Sequence, residues 1–228
     1  MANFKTHTQV AAVASGLAST LLLSANYISP GEALLCWVSG TLGGILPDID
    51  SDNSHSLSIL FGVFSLLACG LTAIAWAGSW PLLWVWGACS AMFVFMQFGV
   101  RNLFETFTTH RGIFHSLLAA AFFVLLVASG VKMLGASSTT SWFLAVFTGF
   151  GYCLHLLLDE LYAVDFMNSQ IKRSFGSAFK LFDYQNLKTS AILAGMVAIL
   201  FFLAPSYAEF ISILFNRQAM QTLISGIL

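Results

Sequence analysis

Ionisable side chains are scarce in this chain and gather at the ends of long apolar runs, which restricts the fold to one that keeps those runs in lipid. Asp, Glu, Lys and Arg make up 8% of the residues, against roughly 25% in an ordinary soluble protein. Yet three aspartates stand together in Pro47-Asp48-Ile49-Asp50-Ser51-Asp52. Two histidines bracket an arginine in His110-Arg111-Gly112-Ile113-Phe114-His115, and His155 and Asp159 stand one helical turn apart. An ionisable group near hydrocarbon costs about 2.5–3.5 kcal/mol on insertion scales. Carboxylates and imidazoles concentrated at that cost imply a site, and the kind these residue types favour is metal-binding.

The remaining composition narrows the class. A hydrophobic content of 58%, an aromatic content of 14% and a mean hydropathy of +0.84 place the chain among integral membrane proteins. A net charge of -1 offers no basic surface for nucleic acid. Cys36, Cys69, Cys89 and Cys153 lie inside apolar runs without a CxxC pair, so they read as small packing residues and make neither a disulfide frame nor a zinc knuckle. The first apolar segment is long enough to span and no A-x-A site follows it, so it is expected to be retained. No repeat or low-complexity tract divides the chain, and a single membrane domain is expected over residues 1–228.

Apolar stretches of spanning length occupy 8–28, 57–78, 81–100, 113–134, 141–158 and 189–204. A shorter one, 33–46, is rich in glycine (Gly40, Gly43, Gly44) and ends at Pro47. It is read as a seventh span packed closely through its glycines. The last stretch, 207–228, mixes Asn216, Arg217, Gln218 and Gln221 with Phe210, Leu214, Leu223 and Ile227, a pattern for an amphipathic interfacial helix. The expected fold is therefore an all-α polytopic membrane protein of about seven transmembrane helices plus interfacial helices. Threading seven crossings puts His7, 48–55, 101–111 and 159–188 on one side. Lys5, Arg101, Arg111, Lys172, Arg173, Lys180 and Lys188 fall there too, and only Lys132 and Arg217 do not. The positive-inside rule makes that side cytoplasmic. Tyr27, Trp37, Trp76, Trp80 and Trp142 then form an aromatic belt on the other side.

His155 and Asp159 share one helix face at i and i+4, so an imidazole nitrogen and a carboxylate oxygen can meet one divalent ion; Glu160 points elsewhere. The ordinary alternative is a helix-end histidine hydrogen-bonded to a carboxylate. Asp48 and Asp50 alternate after Pro47 and can serve one centre or bridge two ions, the alternative being a solvated acidic turn. Asp52 and His55 extend that cluster as secondary ligands. In one continuous helix His110 and His115 would stand about 140° apart. Gly112 is expected to break that geometry, leaving His110 before the helix and His115 in its first turn. Arg111 suits a phosphate or carboxylate, or else anchors the helix at the headgroups. Mixed His/Asp ligation favours a divalent transition metal, zinc first, with manganese or iron as alternatives. Metal-assisted hydrolysis follows from such a site, and no Gly-x-Ser-x-Gly, HExxH or Walker motif competes. In 171–182, Phe175, Phe179 and Phe182 recur at helical spacing among Lys172, Arg173 and Lys180, which reads as a surface helix on anionic lipid or a plain topology anchor.

With these residues assembled, the chain resembles the YdjM-like family of bacteria: LexA-regulated, SOS-response inner-membrane proteins described as metal-dependent hydrolases. The matching pieces are Thr6-His7, Gly-Gly-Ile-Leu-Pro-Asp-Ile-Asp-Ser-Asp (43–52), His-Arg-Gly-Ile-Phe-His-Ser (110–116) and His-Leu-Leu-Leu-Asp (155–159). The resemblance implies ligand roles for His7, Asp48, Asp50, His110, His115, His155 and Asp159. His110, Arg111 and Asp50 are the candidates for the catalytic step, His110 as ligand or general acid/base and Arg111 as the grip on an anionic group. The series of His and Asp is also similar to zinc-dependent phospholipases C and the related zinc nucleases, which points to a phosphoester or lipid substrate, with the bilayer as the partner. Two other classes stay open. A divalent-cation transporter or channel would want ionisable groups at mid-membrane along a path, whereas here they sit at span ends. A structural metal tying helix ends together would want a closed ligand set.

Overall fold

The computed structural model describes residues 3–50, 55–102, 113–165, 170–171, 179–216 and 221. In chain order the helices are α1 (Phe4–Ser24), α2 (Pro30–Gly43), α3 (His55–Trp76), α4 (Leu82–Val94), α5 (Leu117–Met133), α6 (Ser138–Ala163), α7 (Leu187–Leu203) and α8 (Ala208–Leu214). A 3₁₀ turn, Leu46–Asp50, follows α2, and a π turn, Phe95–Val100, extends α4. After α6 come two-residue strands, β1 (Val164–Asp165) and β2 (Gln170–Ile171), paired antiparallel. The chain forms two compact units: Met1–Pro47 with Gly112–Leu228, and Asp48–Arg111.

The second unit is a hairpin of α3 and α4. Cys69 Sγ donates to the Cys89 carbonyl at 3.1 Å, and Cys89 Sγ to the Cys69 carbonyl at 3.4 Å. The thiols thus serve as small packing groups, as their scattered positions suggest. Trp76 and Trp80 stack at the hairpin tip, with ring centroids 4.7 Å apart.

The first unit is built on a seam of small residues joining α1, α2 and α6. Each helix has a local reason to start where it does. Asn3 accepts from the Thr6 amide to cap α1. Ser29 and Glu32 form a capping box on α2, with Pro30 in its first turn. Ser116 caps α5. Gly135, at φ +93, supplies the left-handed turn between α5 and α6 that a side chain resists. Along α1 the buried residues are His7, Ala11, Ser15 and Ser19, one every four positions, a single stripe on one face. A side chain at Gly43 would overlap the Thr148 carbonyl, and one at Gly151 the Gly40 carbonyl. The backbones of α2 and α6 therefore touch, as glycine-lined membrane helices do. Ser39 bridges the same seam, within 2.8 Å of the Thr148 hydroxyl. At one end of the seam Thr140 donates to Glu32 at 2.6 Å, and Phe143, Phe147 and Phe210 of α8 pack with Ile28 and Cys36.

Among the described residues three helices are long and apolar enough to cross a membrane: Leu57–Trp76, Leu82–Val100 and Ser138–Ala163. A fourth results if α7 and α8, bent by 83°, act as one broken span. That is fewer than the seven expected. The 14 residues of α2 rise only about 21 Å, short of a hydrocarbon core of roughly 30 Å. The polar Lys5, Thr6, His7, Thr8 and Gln9 lower the apolar character of α1. The 171–182 stretch also departs from expectation at its described ends. Ile171 belongs to β2, and 179–182 is non-helical, with Lys180 bridged to Ser116; 172–178 lies outside the described residues. Its carbonyls are drawn into pairing because the first amides of α5, Leu117 and Leu118, need acceptors and take Lys180 O and Leu181 O at 2.9 Å each.

Candidate metal centre

The seam delivers four ionisable side chains to one end of the first unit. His7 lies in the first turn of α1, and His155 and Asp159 near the end of α6. His115 sits in a short non-helical strap, 113–116, just before α5. The sequence placed His115 in the first turn of that helix. The turn begins later because Ser116, extended at φ -151 and ψ 155, takes the N-cap position and offers its hydroxyl to the Ala119 amide. All four side chains are buried, with exposures of 2% for His7, 6% for His115, 1% for His155 and 3% for Asp159.

Asp159 is the hub, and its two oxygens divide the histidines. Oδ1 faces His7 Nε2 at 3.2 Å. Oδ2 faces His115 Nε2 at 3.5 Å and His155 Nε2 at 3.6 Å. The rings of His7 and His155 stack with centroids 3.6 Å apart and planes inclined by 12°. His155 Nδ1 lies 2.8 Å from the Gly44 carbonyl. A carbonyl only accepts, so Nδ1 donates to Gly44, and the opposite edge of the ring, Nε2, faces the carboxylate.

The arrangement fits a divalent ion. Three imidazoles and a carboxylate buried this close together need positive charge among them, which shared protons or a divalent ion can supply. Two ligands each about 2.05 Å from a tetrahedral zinc stand roughly 3.3 Å apart, and the distances around Asp159 run from 3.2 to 3.6 Å. The donor atoms of His115, His155 and Asp159 all lie within 4.8 Å of one another. Metal-bound histidines almost always donate their other ring N–H to a carbonyl or carboxylate, as His155 does to Gly44. His7 does not follow that rule, since its Nδ1 is buried without a hydrogen-bond partner among the described residues.

The model of the YdjM inner membrane protein family matches residues 1–215. The chain belongs to that family. Comparison with curated proteins and with solved structures gave no match. The YdjM description names a membrane, and the apolar helices agree with it; it names no reaction, so the chemistry has to come from the residues.

Of the site residues expected from the sequence, the structure brings His7, His115, His155 and Asp159 together. Asp48, half-buried, and Asp50 lie in the 3₁₀ turn Leu46–Asp50, at the start of the second unit; the side chain of Asp50 is not described. His110, Arg111 and Asp52 fall outside the described residues, as does the side chain of His55 at the start of α3. Two contributors escaped the sequence reading. One is the Gly44 carbonyl, a backbone atom with no side-chain signature, although the glycine run marked where backbones would meet. The other is Tyr152, fully buried, whose hydroxyl donates to the Phe114 carbonyl beside His115. Its place three residues before His155 on the same helix was the available signal.

Proposed function

We propose that this YdjM-family protein is a membrane-bound metal-dependent hydrolase whose ion is held by His115, His155 and Asp159. The observation that carries the reading is the convergence of two buried imidazoles on one carboxylate oxygen: His115 Nε2 and His155 Nε2 stand 3.5 and 3.6 Å from Asp159 Oδ2, with His155 oriented by its Nδ1 contact to Gly44. Two histidines and one carboxylate leave a coordination position open, as catalytic zinc sites do. In this reading His7 is the donor that fixes the second carboxylate oxygen, Oδ1, so that Oδ2 stays turned toward the imidazoles. Zinc is the preferred ion for this donor set, with manganese or iron as alternatives. A divalent ion held there would lower the pKa of a water and polarise the bond to be cleaved.

The rest of the proposal comes from the motifs. Asp48 and Asp50 are candidate carboxylate ligands for a further ion, His110 serves as ligand or general acid/base, and Arg111 holds an anionic group of the substrate. The substrate class is a phosphoester or a lipid headgroup, favoured by the membrane setting and by the pairing of a cationic grip with a metal. Seven crossings with the N-terminus and the site on the cytoplasmic side remain the proposed topology. Within the first unit, the placing of His7 at a helix start and of His155 and Asp159 near a helix end supports it.

Metal content of the detergent-purified protein by mass spectrometry tests the reading, wild type beside a His155→Ala/Asp159→Ala variant. One or more equivalents of a transition metal in the wild type, lost in a folded variant, are expected. No metal in the wild type after zinc or manganese is supplied would sink it. Hydrolysis of phospholipid or a soluble phosphoester by the loaded protein then separates enzyme from structural site.

A further inference from the structure

Of the three side chains assigned to the ion, His115 alone is not carried by a helix. Its position depends on what holds the strap 113–116. On the far side of His115 the strap is tied by backbone pairing: Leu117 N donates to Lys180 O and Leu118 N to Leu181 O, each at 2.9 Å. That partner segment is itself anchored. Lys180 Nζ meets Asp183 at 3.0 Å, and Ser190 of α7 donates to the Asp183 carbonyl at 3.0 Å. On the near side the tie is a side chain, Tyr152 to the Phe114 carbonyl.

We propose that Tyr152 is a positioning residue for His115, fixing through the Phe114 carbonyl the strap that presents this imidazole to the ion. The proposal rests on the metal reading above. Tyr152, His155 and Asp159 stand at i, i+3 and i+7 of α6, and those positions share one helix face. One helix therefore carries two ligands and the anchor of the third. The tyrosine ring is fully buried beside Phe123, with centroids 5.8 Å apart. A phenol buried that deeply needs an acceptor, and a carbonyl in a non-helical buried strap needs a donor. Each satisfies the other, one residue from the ligand. A strap without this tie would keep His115 in the chain but lose the alignment of its Nε2 on Asp159, 3.5 Å away. Outer-shell partners of metal ligands commonly carry 10–100-fold in metal affinity.

The test is Tyr152→Phe in the full-length protein in detergent, a substitution that removes one oxygen and keeps the ring. Zinc affinity is measured by competition with a chromophoric chelator, and amide hydrogen exchange is followed by mass spectrometry. The expected result is a loss of about 10-fold or more in zinc affinity, with faster exchange confined to the strap 113–116 and the first turn of α5. A changed visible spectrum of the cobalt-substituted protein should accompany it, because the ligand geometry shifts. Unchanged zinc affinity overturns the proposal. So does an affinity loss with exchange raised equally along α2 and α6, which would mean general loosening of the seam. An unaltered protein that binds no zinc, manganese or iron overturns the metal reading itself, and the Tyr152 proposal with it.

Discussion

The seam between α2 and α6 holds Gly44 against His155, and Gly151→Ala tests that dependence directly. Gly151 lies one helical turn before His155. A methyl group there would overlap the Gly40 carbonyl and approach Gly44 N to 2.8 Å and Gly40 C to 2.9 Å. Ordinary contacts between such atoms are about 3.5–4.0 Å, and the overlap with the Gly40 carbonyl is the tightest, so the helices must part by roughly 1.5 Å. The Gly44–His155 hydrogen bond is 2.8 Å, and a movement of that size takes it to roughly 4 Å or more, beyond hydrogen-bonding reach. Forced overpacking costs about 1–3 kcal/mol and the lost bond about 1 kcal/mol more, while alanine returns up to about 1 kcal/mol of helix propensity. The net expectation is a destabilisation of about 1–3 kcal/mol together with weaker zinc retention. Gly195→Ala is the control, because a methyl at Gly195 in α7 meets nothing within 4 Å and gains only the propensity term. Thermal unfolding in detergent and chelator competition read both effects. If Gly151→Ala matches Gly195→Ala in melting and in zinc affinity, the seam does not position His155 and the reasoning fails.

Two further outcomes follow from the same geometry. Free zinc at about 100 times its Kd should add about 2.7 kcal/mol of stability, seen as a raised melting temperature that a chelator reverses and that the His155→Ala/Asp159→Ala variant lacks. Ser116→Ala removes the α5 cap and its bond to the Ala119 amide, so it should cost about 1 kcal/mol and speed hydrogen exchange in the first turn of α5.

The parts of the site legible in the sequence were those written as side-chain periodicity. The i, i+4 spacing of His155 and Asp159 specified a shared face on any helix, and Asp159 does face the His155 ring. The glycine run 40–44 announced a close helix contact, and the contact is with α6. What stayed hidden depends on the backbone. The proton on His155 is assigned by a carbonyl from another helix, and no residue type encodes that. The aromatic spacing of 171–182 favoured a helix, but backbone demand from the exposed amides of α5 turned its end, 179–182, into a pairing segment. The count of seven rests on apolar length, whereas among the described residues only three or four helices meet length and apolarity together, because α1 carries polar residues and α2 is short.

The four clustered side chains come from the beginning, the middle and the later part of the chain: α1, the strap before α5, and the end of α6. No early fragment of the polypeptide contains the set. Contacts this distant in sequence form only after the loop entropy between them has been overcome, so the pocket exists only once the last of these helices has been laid against the first. On the proposed metal reading, ion capture would thereby be a late event in biogenesis and would lock whatever arrangement it finds. A bound transition metal would serve the experimenter as a reporter of complete insertion: truncated or misthreaded chains should emerge from the membrane without it.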